Sequence, residues 1–398
     1  MKKPFLFALF SLLAVAGWSE NFRFLYAPGD KYRFISTVSE EVYINGSFSH
    51  DSEILNKVTV EVTKTDGTSG LLSSVFITSE RNTGEEGVSV WGEEYHSLFW
   101  RNALGAYSGD EGQYMPVVRN VPIFPDRSIS PGEAWSADGY EVHDFRYSLG
   151  IEDPYKFPIK VMYTYAGTET IDGRRLHKIA IDYTIFVKPP PPRRHEGLFP
   201  VRITGYSKQV LLWDNEAGMP ASYEEEFEMV FTMNDGQWVE YRGTASADVK
   251  ISERMDRDRI AEEVTRDLSD SGVTDTTVSA TPEGVRITLE DIRFLPDSAV
   301  LLETEKGKLR VIADILKKYP DRDILVTGHT AFAKTEEGMQ QLSEERARTV
   351  ADFLLGLGVL SPERIIVRGM GGRMPVAGND TEEGRKKNRR VEITILEN

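Results

Sequence analysis

The chain has 398 residues, no cysteine and a formal net charge of −16 at pH 7. The missing cysteines exclude disulfides, thiolate metal sites, a cysteine nucleophile and a lipidated N-terminal cysteine. The acidic excess lies before residue 285, with 28 basic against 44 acidic side chains there and 19 of each from 285 onward, which argues against nucleic acid or anionic lipid as the partner of the N-terminal region.

Met1-Lys2-Lys3 and the 13-residue apolar run from Phe5 to Gly17 read as a secretory signal peptide over residues 1–19, cleaved near Ser19. The run is too short to span a bilayer, and no later stretch approaches about 18 consecutive apolar residues. No transmembrane helix is therefore expected in the mature chain, and membrane attachment would need a partner or β-structure. The expected location is the periplasm, after export across the inner membrane, with association with the outer membrane left open.

Residues 20–247 alternate apolar and polar side chains in short runs. Examples are Lys57 to Val62, Leu71 to Ile77, Lys160 to Tyr165, Lys178 to Val187, Val201 to Trp213 and Tyr223 to Met233. Turn residues such as Thr65-Asp66-Gly67-Thr68, Asp214 to Gly218 and Asn234-Asp235-Gly236 separate them. The pattern predicts an all-β antiparallel sandwich or open barrel. A transmembrane barrel is the alternative, but the runs lack regular ten-residue dyads and aromatic girdles. Pro189 to Pro192, followed by Arg193-Arg194, reads as a stiff loop between two strands, with a polyproline ligand for a partner as the other reading. His50, His96, His143, His177 and His195 show no metal-ligand spacing, and no Gly-x-Ser-x-Gly, Walker or dinucleotide pattern occurs. No metal, cofactor or catalytic centre is expected. The residues name no ligand for this region, and other envelope proteins are its candidate partners.

Residues 248–284 read as a small α/β bridge. Ile260, Val264 and Leu268 place one apolar stripe on a helix from about Asp256 to Ser271, ended by Gly272. Thr276 to Ala280 and Val285 to Leu289 read as strands joined at Pro282-Glu283-Gly284. So small a unit buries little surface alone, so it is expected to dock on a neighbour and join the two larger parts.

From residue 285 to 398 the order is strand, helix, strand, helix, strand, short helix, strand, which predicts an α/β sandwich with a mixed sheet. Arg286 to Phe294, Asp323 to His329, Ile365 to Arg368 and a last strand with Val391, Ile393 and Ile395 are the strands. The first helix, Thr304 to Tyr319, turns Val311, Ile312, Ile315 and Leu316 inward. On the second, residues 339 to 357, Leu342, Val350, Phe353 and Leu357 fall within about 80° of arc on a 3.6-residue wheel, and Arg346 falls inside that arc. An inward arginine needs an anion or hydrogen-bonding partner. Two readings stand: an internal ion pair, or a pocket cation forking onto a ligand carboxylate.

Several segments of this region occur in a specific order: Phe294 with Asp297-Ser298-Ala299, Gly328-His329-Thr330, Leu342-Ser343 with Arg346-Ala347, Gly358-Val359, and Gly384-Arg385 with Asn388-Arg389-Arg390-Val391. Over about residues 285–398 the chain resembles the C-terminal domain of the OmpA family. That resemblance implies a non-enzymatic, peptidoglycan-associated module of a Gram-negative or spirochaete-like cell envelope. It implies a pocket that clamps the diaminopimelate of a stem peptide, with Arg346 on the carboxylate and Phe294, Thr330 and Asn388 around it. The family's ammonium-binding aspartate is replaced here by Ala331, and its asparagine before the Leu-Ser pair by Met339. Losing one partner of a buried charged pair costs on the order of 3–5 kcal/mol. Weakened peptidoglycan binding is therefore expected, unless Glu336 or Glu337 folds back to supply the carboxylate. The alternative is an envelope scaffold that has lost peptidoglycan binding and mediates protein–protein contacts.

Overall fold

Alternation of inward and outward side chains runs much further along the chain than the apolar runs alone. The computed structural model describes residues 19–82, 89–193, 196–251, 255–290, 292–295, 298–331 and 335–397. The expected signal peptide lies outside them except for Ser19. In chain order the strands are β1 (Lys31–Ile44), β2 (Ser47–Thr65), β3 (Ser69–Asn82), β4 (Ser89–Val90), β5 (Glu94–Asn102), β6 (Tyr107–Gly109), β7 (Val118–Arg119), β8 (Ala134–Phe145), β9 (Ile151–Ile171), β10 (Arg174–Val187), β11 (Pro200–Asp214), β12 (Met219–Met233), β13 (Trp238–Ile251), β14 (Thr276–Thr281), β15 (Gly284–Glu290), β16 (Ile324–Gly328), β17 (Ile365–Gly369) and β18 (Arg390–Leu396). The helices are α1 (Arg146–Leu149), α2 (Arg257–Asp270), α3 (Glu303–Leu316), α4 (Glu336–Gly356) and α5 (Glu382–Asn388).

Two compact units emerge. One comprises residues 1–52, 56–76 and 95–250, the other residues 53–55, 77–94 and 251–398. In the first region, twelve strands form a large, nearly closed antiparallel sheet in the order β6-β5-β3-β2-β1-β13-β12-β11-β10-β9-β8-β7. Its strands are far longer than the short runs expected. The run Lys160 to Tyr165 is the middle of the 21-residue β9, because a strand's outward face needs no apolar residues. Tyr155, Phe157, Ile159, Val161, Tyr163 and Tyr165 of β9 point inward, joined by Ile179, Ile181, Tyr183 and Ile185 of β10, and by Trp213, Phe22, Phe24 and Phe124. Phe24 and Phe124 each meet the Trp213 indole edge-on at 4.8 Å. Outward, Met162, Asp182, Lys208 and Glu226 stand in one cross-strand row. Pro189 to Pro192 lie in the connection between β10 and β11, as expected.

The second unit carries the mixed sheet β14-β15-β18-β16-β17-β4. β16 runs parallel to β17 and antiparallel to β18, and β15 is antiparallel to β18. α2, α3 and α4 supply Ile260, Val264, Leu268, Leu309, Ile312, Val350 and Leu354 to one core with Val326, Val367, Val391 and Ile393. The segment read as a small bridge contributes to this unit. β14 completes the sheet through β15, and the stripe of α2 is part of this core. The sheet's far edge is also unexpected. β4 pairs in parallel with Ile366 and Val367 of β17, Trp91 N–H donates to the Val367 carbonyl at 2.6 Å, and the Arg368 guanidinium lies 4.5 Å over the Trp91 ring. A fragment cut at residue 285 would therefore lack β4, α2 and β14.

Inside the first unit's sheet lie two sets of linked polar groups. The Ser207 hydroxyl donates to Glu225 at 2.6 Å, Gln209 donates to Ser207, and Glu141 pairs with His143 at 2.8 Å. Burial pushes the Glu225 carboxyl up, and Glu141 adds to the effect, against the hydrogen bonds from Ser207 and Gln209. A carboxyl raised in the folded state favours folding at acid pH. That contribution declines as pH rises from about 4.3, the unfolded value, through the folded value. Glu225→Gln is expected to raise the melting temperature of this unit at pH 7 and to flatten its decline between pH 4 and 7, as read by circular dichroism melts.

Candidate functional site

The site is built on the seating of α4. Thr335 caps this helix, accepting from the Gly338 N–H at 3.1 Å, and Glu336 and Glu337 sit in its first turn, where the helix dipole favours acids. Both glutamates are exposed and helical, not on the flexible loop from which a substitute carboxylate was expected. The buried face consists of Met339, Ser343, Ala347, Val350, Ala351 and Leu354. At about 100° per residue this face is turned roughly a quarter-turn from the stripe counted from large apolar residues. Small side chains are the reason. A Cβ on Gly328, at the end of β16, would collide with the Ser343 carbonyl oxygen. One on Gly369, at the end of β17, would lie 2.8 Å from the Gln340 carbonyl and 2.8 Å from Ser343 Oγ. Ser343 Oγ accepts from Gly371 N–H at 2.8 Å and donates to the Gln340 carbonyl at 2.8 Å, while Gln340 Nε2 donates to the Gly369 carbonyl at 2.8 Å.

Arg346 therefore sits on the flank of this face, half-buried, not in its centre. Its Nε donates to the Ser298 carbonyl at 3.2 Å, and its guanidinium carbon lies 5.1 Å from the centre of the Phe294 ring. Phe294 and Ser298 belong to a loop closed by a bridge between Phe294 and Leu301 and by Leu295 N–H donating to the Val300 carbonyl at 2.8 Å. The structure thus brings Phe294 and Ser298 of one motif segment together with Arg346 of another. Asp297, of the same motif, lies outside the described residues.

Thr330 and Ala331 are buried, and Thr330 N–H donates to the Gly371 carbonyl at 2.9 Å. Met339 is buried too, with its sulfur 3.2 Å from where a Cβ on Gly372 would lie. The Gly369-Met370-Gly371-Gly372 cluster after β17 is thus a partner of both segments. The motif marks Ser343 but not the glycine cluster that its hydroxyl grips; glycines at a strand end are the available signal.

Asn388, expected at the ligand, is 1% exposed, and its amide is fully engaged by its own loop. Oδ1 accepts from Val376 and Ala377 N–H, and Nδ2 donates to the Ala377 carbonyl and to Asn379 Oδ1. It holds the turn before α5. Nearby, Arg385 and Arg389 both pair with Glu382, at 2.8 and 2.7 Å.

On the sheet face away from the helices, Arg390 Nε donates to Glu392 at 2.8 Å, and His329 lies 3.4 Å from the same carboxylate. Burial alone would raise Glu392, but His329 and Arg390 outweigh it and hold its carboxyl at about 2. Burial also lowers His329. His329 is buried, and neither ring nitrogen has a hydrogen-bond partner of good geometry, although Nε2 faces Glu392. No group of three or more His, Asp or Glu among the described residues is arranged to hold a metal.

Residues 293–389 match the OmpA family. Outer membrane porin F of Pseudomonas aeruginosa is 38% identical over 116 residues, 29% of this chain and 33% of that protein. Peptidoglycan-binding protein ArfA of Mycobacterium tuberculosis is 40% identical over 104 residues, 26% of this chain and 32% of that protein. Probable lipoprotein YiaD of Escherichia coli is 37% identical over 123 residues, 30% of this chain and 56% of that protein. The chain thus carries an OmpA family domain, and it spans a third to somewhat over half of the length of these relatives.

Gly328→Ala tests the helix seating. The added methyl has only the Ser343 carbonyl to displace, so α4 must lift. The expected loss of stability is about 1–3 kcal/mol, measured by chemical denaturation of the full chain. A neutral result would show that the close approach is not needed.

Proposed function

We propose that the chain is a non-enzymatic cell-envelope protein whose OmpA family domain holds the carboxylate of a peptidoglycan stem peptide on Arg346. The observation that carries this reading is the bracing of Arg346. One face meets the Phe294 ring, Nε is oriented by the Ser298 carbonyl, and the residue stays half open to solvent. A guanidinium fixed in this way loses little freedom on forming a bidentate carboxylate pair. The porin F, ArfA and YiaD relatives, which carry outer-membrane, peptidoglycan-binding and lipoprotein names, support an envelope setting. Thr330 and Phe294 line the ligand in this reading, and Asn388 acts only by shaping the loop before α5. Export through the N-terminal signal segment and residence in the periplasm belong to the same proposal.

Ala331 weakens the site. Its buried methyl stands where the resemblance implies an aspartate for the ligand ammonium, and Met339 brings no carboxylate either. The missing partner is worth about 3–5 kcal/mol, or roughly 100-fold to several thousand-fold in affinity. The same observation favours one alternative, an adaptor without cell-wall affinity in which Arg346 only ties the Phe294 loop to α4.

The full chain separates the two. It is expected to pellet with purified murein sacculi. Arg346→Ala should abolish pelleting with little change in melting temperature, and Ala331→Asp should strengthen it by about 100-fold or more. Absence of wild-type pelleting, together with a lower melting temperature for Arg346→Ala, would establish the adaptor instead.

A further inference from the structure

One end of the first unit's sheet gathers the connections β1–β2, β8–β9, β10–β11 and β12–β13. The pairings Phe145 with Ile151, Val187 with Ile203 and Thr232 with Trp238 place three of these tips side by side. Asn45 N–H donates to the Trp238 carbonyl and adds the fourth, and the Tyr155 hydroxyl donates to the Pro200 carbonyl and ties β9 to β11. Six large apolar side chains that the fold leaves in water lie there, against Leu25, Ile171 and Ile251 at the opposite end. Phe186 is 75% exposed and Tyr147 73%, and Phe48, Ile44, Leu198 and Val201 are exposed as well. The turn between β11 and β12, at the opposite end, is instead Asp214-Asn215-Glu216-Ala217-Gly218.

The β10–β11 tip differs from the rest of this acidic chain in charge. Among the described residues from Phe186 to Arg202 the tip holds Lys188, Arg193 and Arg202 against the single acid Glu196. Lys188, Arg193 and Arg202 are exposed beside the apolar residues. The neighbouring β12–β13 turn carries Asp235, so the positive charge is confined to this one tip. Charges screen one another beyond about 8–10 Å at physiological salt. A protruding basic tip is thus not cancelled by acids further down the strands. Pro189 to Pro192 supply four residues with no backbone N–H to desolvate and little freedom to lose. The row of Asp182, Lys208 and Glu226 on the outer face sets a limit to depth. Asp182 is four residues from Phe186, roughly 13 Å along the strand. These outward positions do not form the apolar band about 25 Å tall that a spanning barrel needs.

We propose that the β10–β11 tip, with Phe186, Leu198 and Val201 as wedges and Lys188, Arg193 and Arg202 as headgroup contacts, docks this unit onto an anionic phospholipid bilayer surface. The tip enters only the interfacial layer, and the remainder of the sheet stays in water. This gives a chain without lipid or spanning helix in its described residues a reversible hold on a membrane, independently of what Arg346 binds.

The absence of native cysteine makes the test direct. Glu196→Cys in the tip and Glu216→Cys at the opposite end are each labelled in the full chain with an environment-sensitive fluorophore. They are then mixed with vesicles of phosphatidylglycerol and phosphatidylethanolamine. The Glu196 probe is expected to brighten and shift to the blue while the Glu216 probe stays unchanged, and about 0.5 M salt should weaken the response, because salt screens a charge-assisted hold. Phe186→Ser, or Arg193→Glu with Arg202→Glu, in the Glu196→Cys background should weaken vesicle affinity by roughly tenfold or more. No response of the Glu196 probe would overturn the proposal. So would an equal response at both positions, which means adsorption through another part of the chain. A shift that appears without vesicles as protein concentration rises would also overturn it, because a second copy would then cover the tip.

Discussion

The second unit depends on the close approach of α4 to the ends of β16 and β17. Gly328 and Gly369 leave no room for a side chain beneath Ser343, Gln340 and Ala347, and the Ser343 hydroxyl and Gln340 amide lock the helix to the Gly369–Gly371 turn. The candidate site residues on and around α4 are placed by that contact. It sets Arg346 one turn along the helix from the locked residues, at the height of the Phe294–Leu301 loop. It also packs Met339 beside the glycine turn that receives Thr330. A helix that stood an ångström further from the sheet would carry the same arginine to a different place.

Charge is handled differently in the two units. In the second, buried charges are paired, with Arg390, His329 and Glu392 meeting on one sheet face and Arg364 on Asp323 at 3.1 Å. Pairing holds the Glu392 carboxyl low, so its contribution is present above the unfolded value and is lost as pH falls towards about 2. In the first unit burial raises the Glu225 carboxyl, with the opposite dependence on pH. One part of the chain is thus favoured by mild acid while another is weakened by strong acid.

Local periodicity made the helices readable. Ile260, Val264 and Leu268 are the buried residues of α2, and Val391, Ile393 and Ile395 face the core from β18. The α4 face was misjudged because the residues that touch the sheet are the small ones, and counting Leu342, Phe353 and Leu357 weights those that cover the flank. Strand ends in the first unit were read too short because polar outward positions and residues such as Pro158 in β9 look like turns. β4 had no readable signal at all. Two residues that pair with a strand far downstream are specified by Ile366 and Val367 and the stacking of Arg368 on Trp91, none of which is local to Ser89. In the site, Arg346 and Phe294 were legible as chemistry, whereas the spent amide of Asn388 could be seen only once its four partners were in place.

The central claim is that Arg346 is braced to receive a carboxylate. Calorimetric titration of the full chain with a stem tripeptide ending in diaminopimelate, and with the same peptide amidated at its side-chain carboxylate, tests it most directly. The account predicts measurable binding of the first and at least roughly tenfold weaker binding of the second, the worth of one charge-assisted pair. Equal affinity for both peptides, or no heat from either, would contradict it.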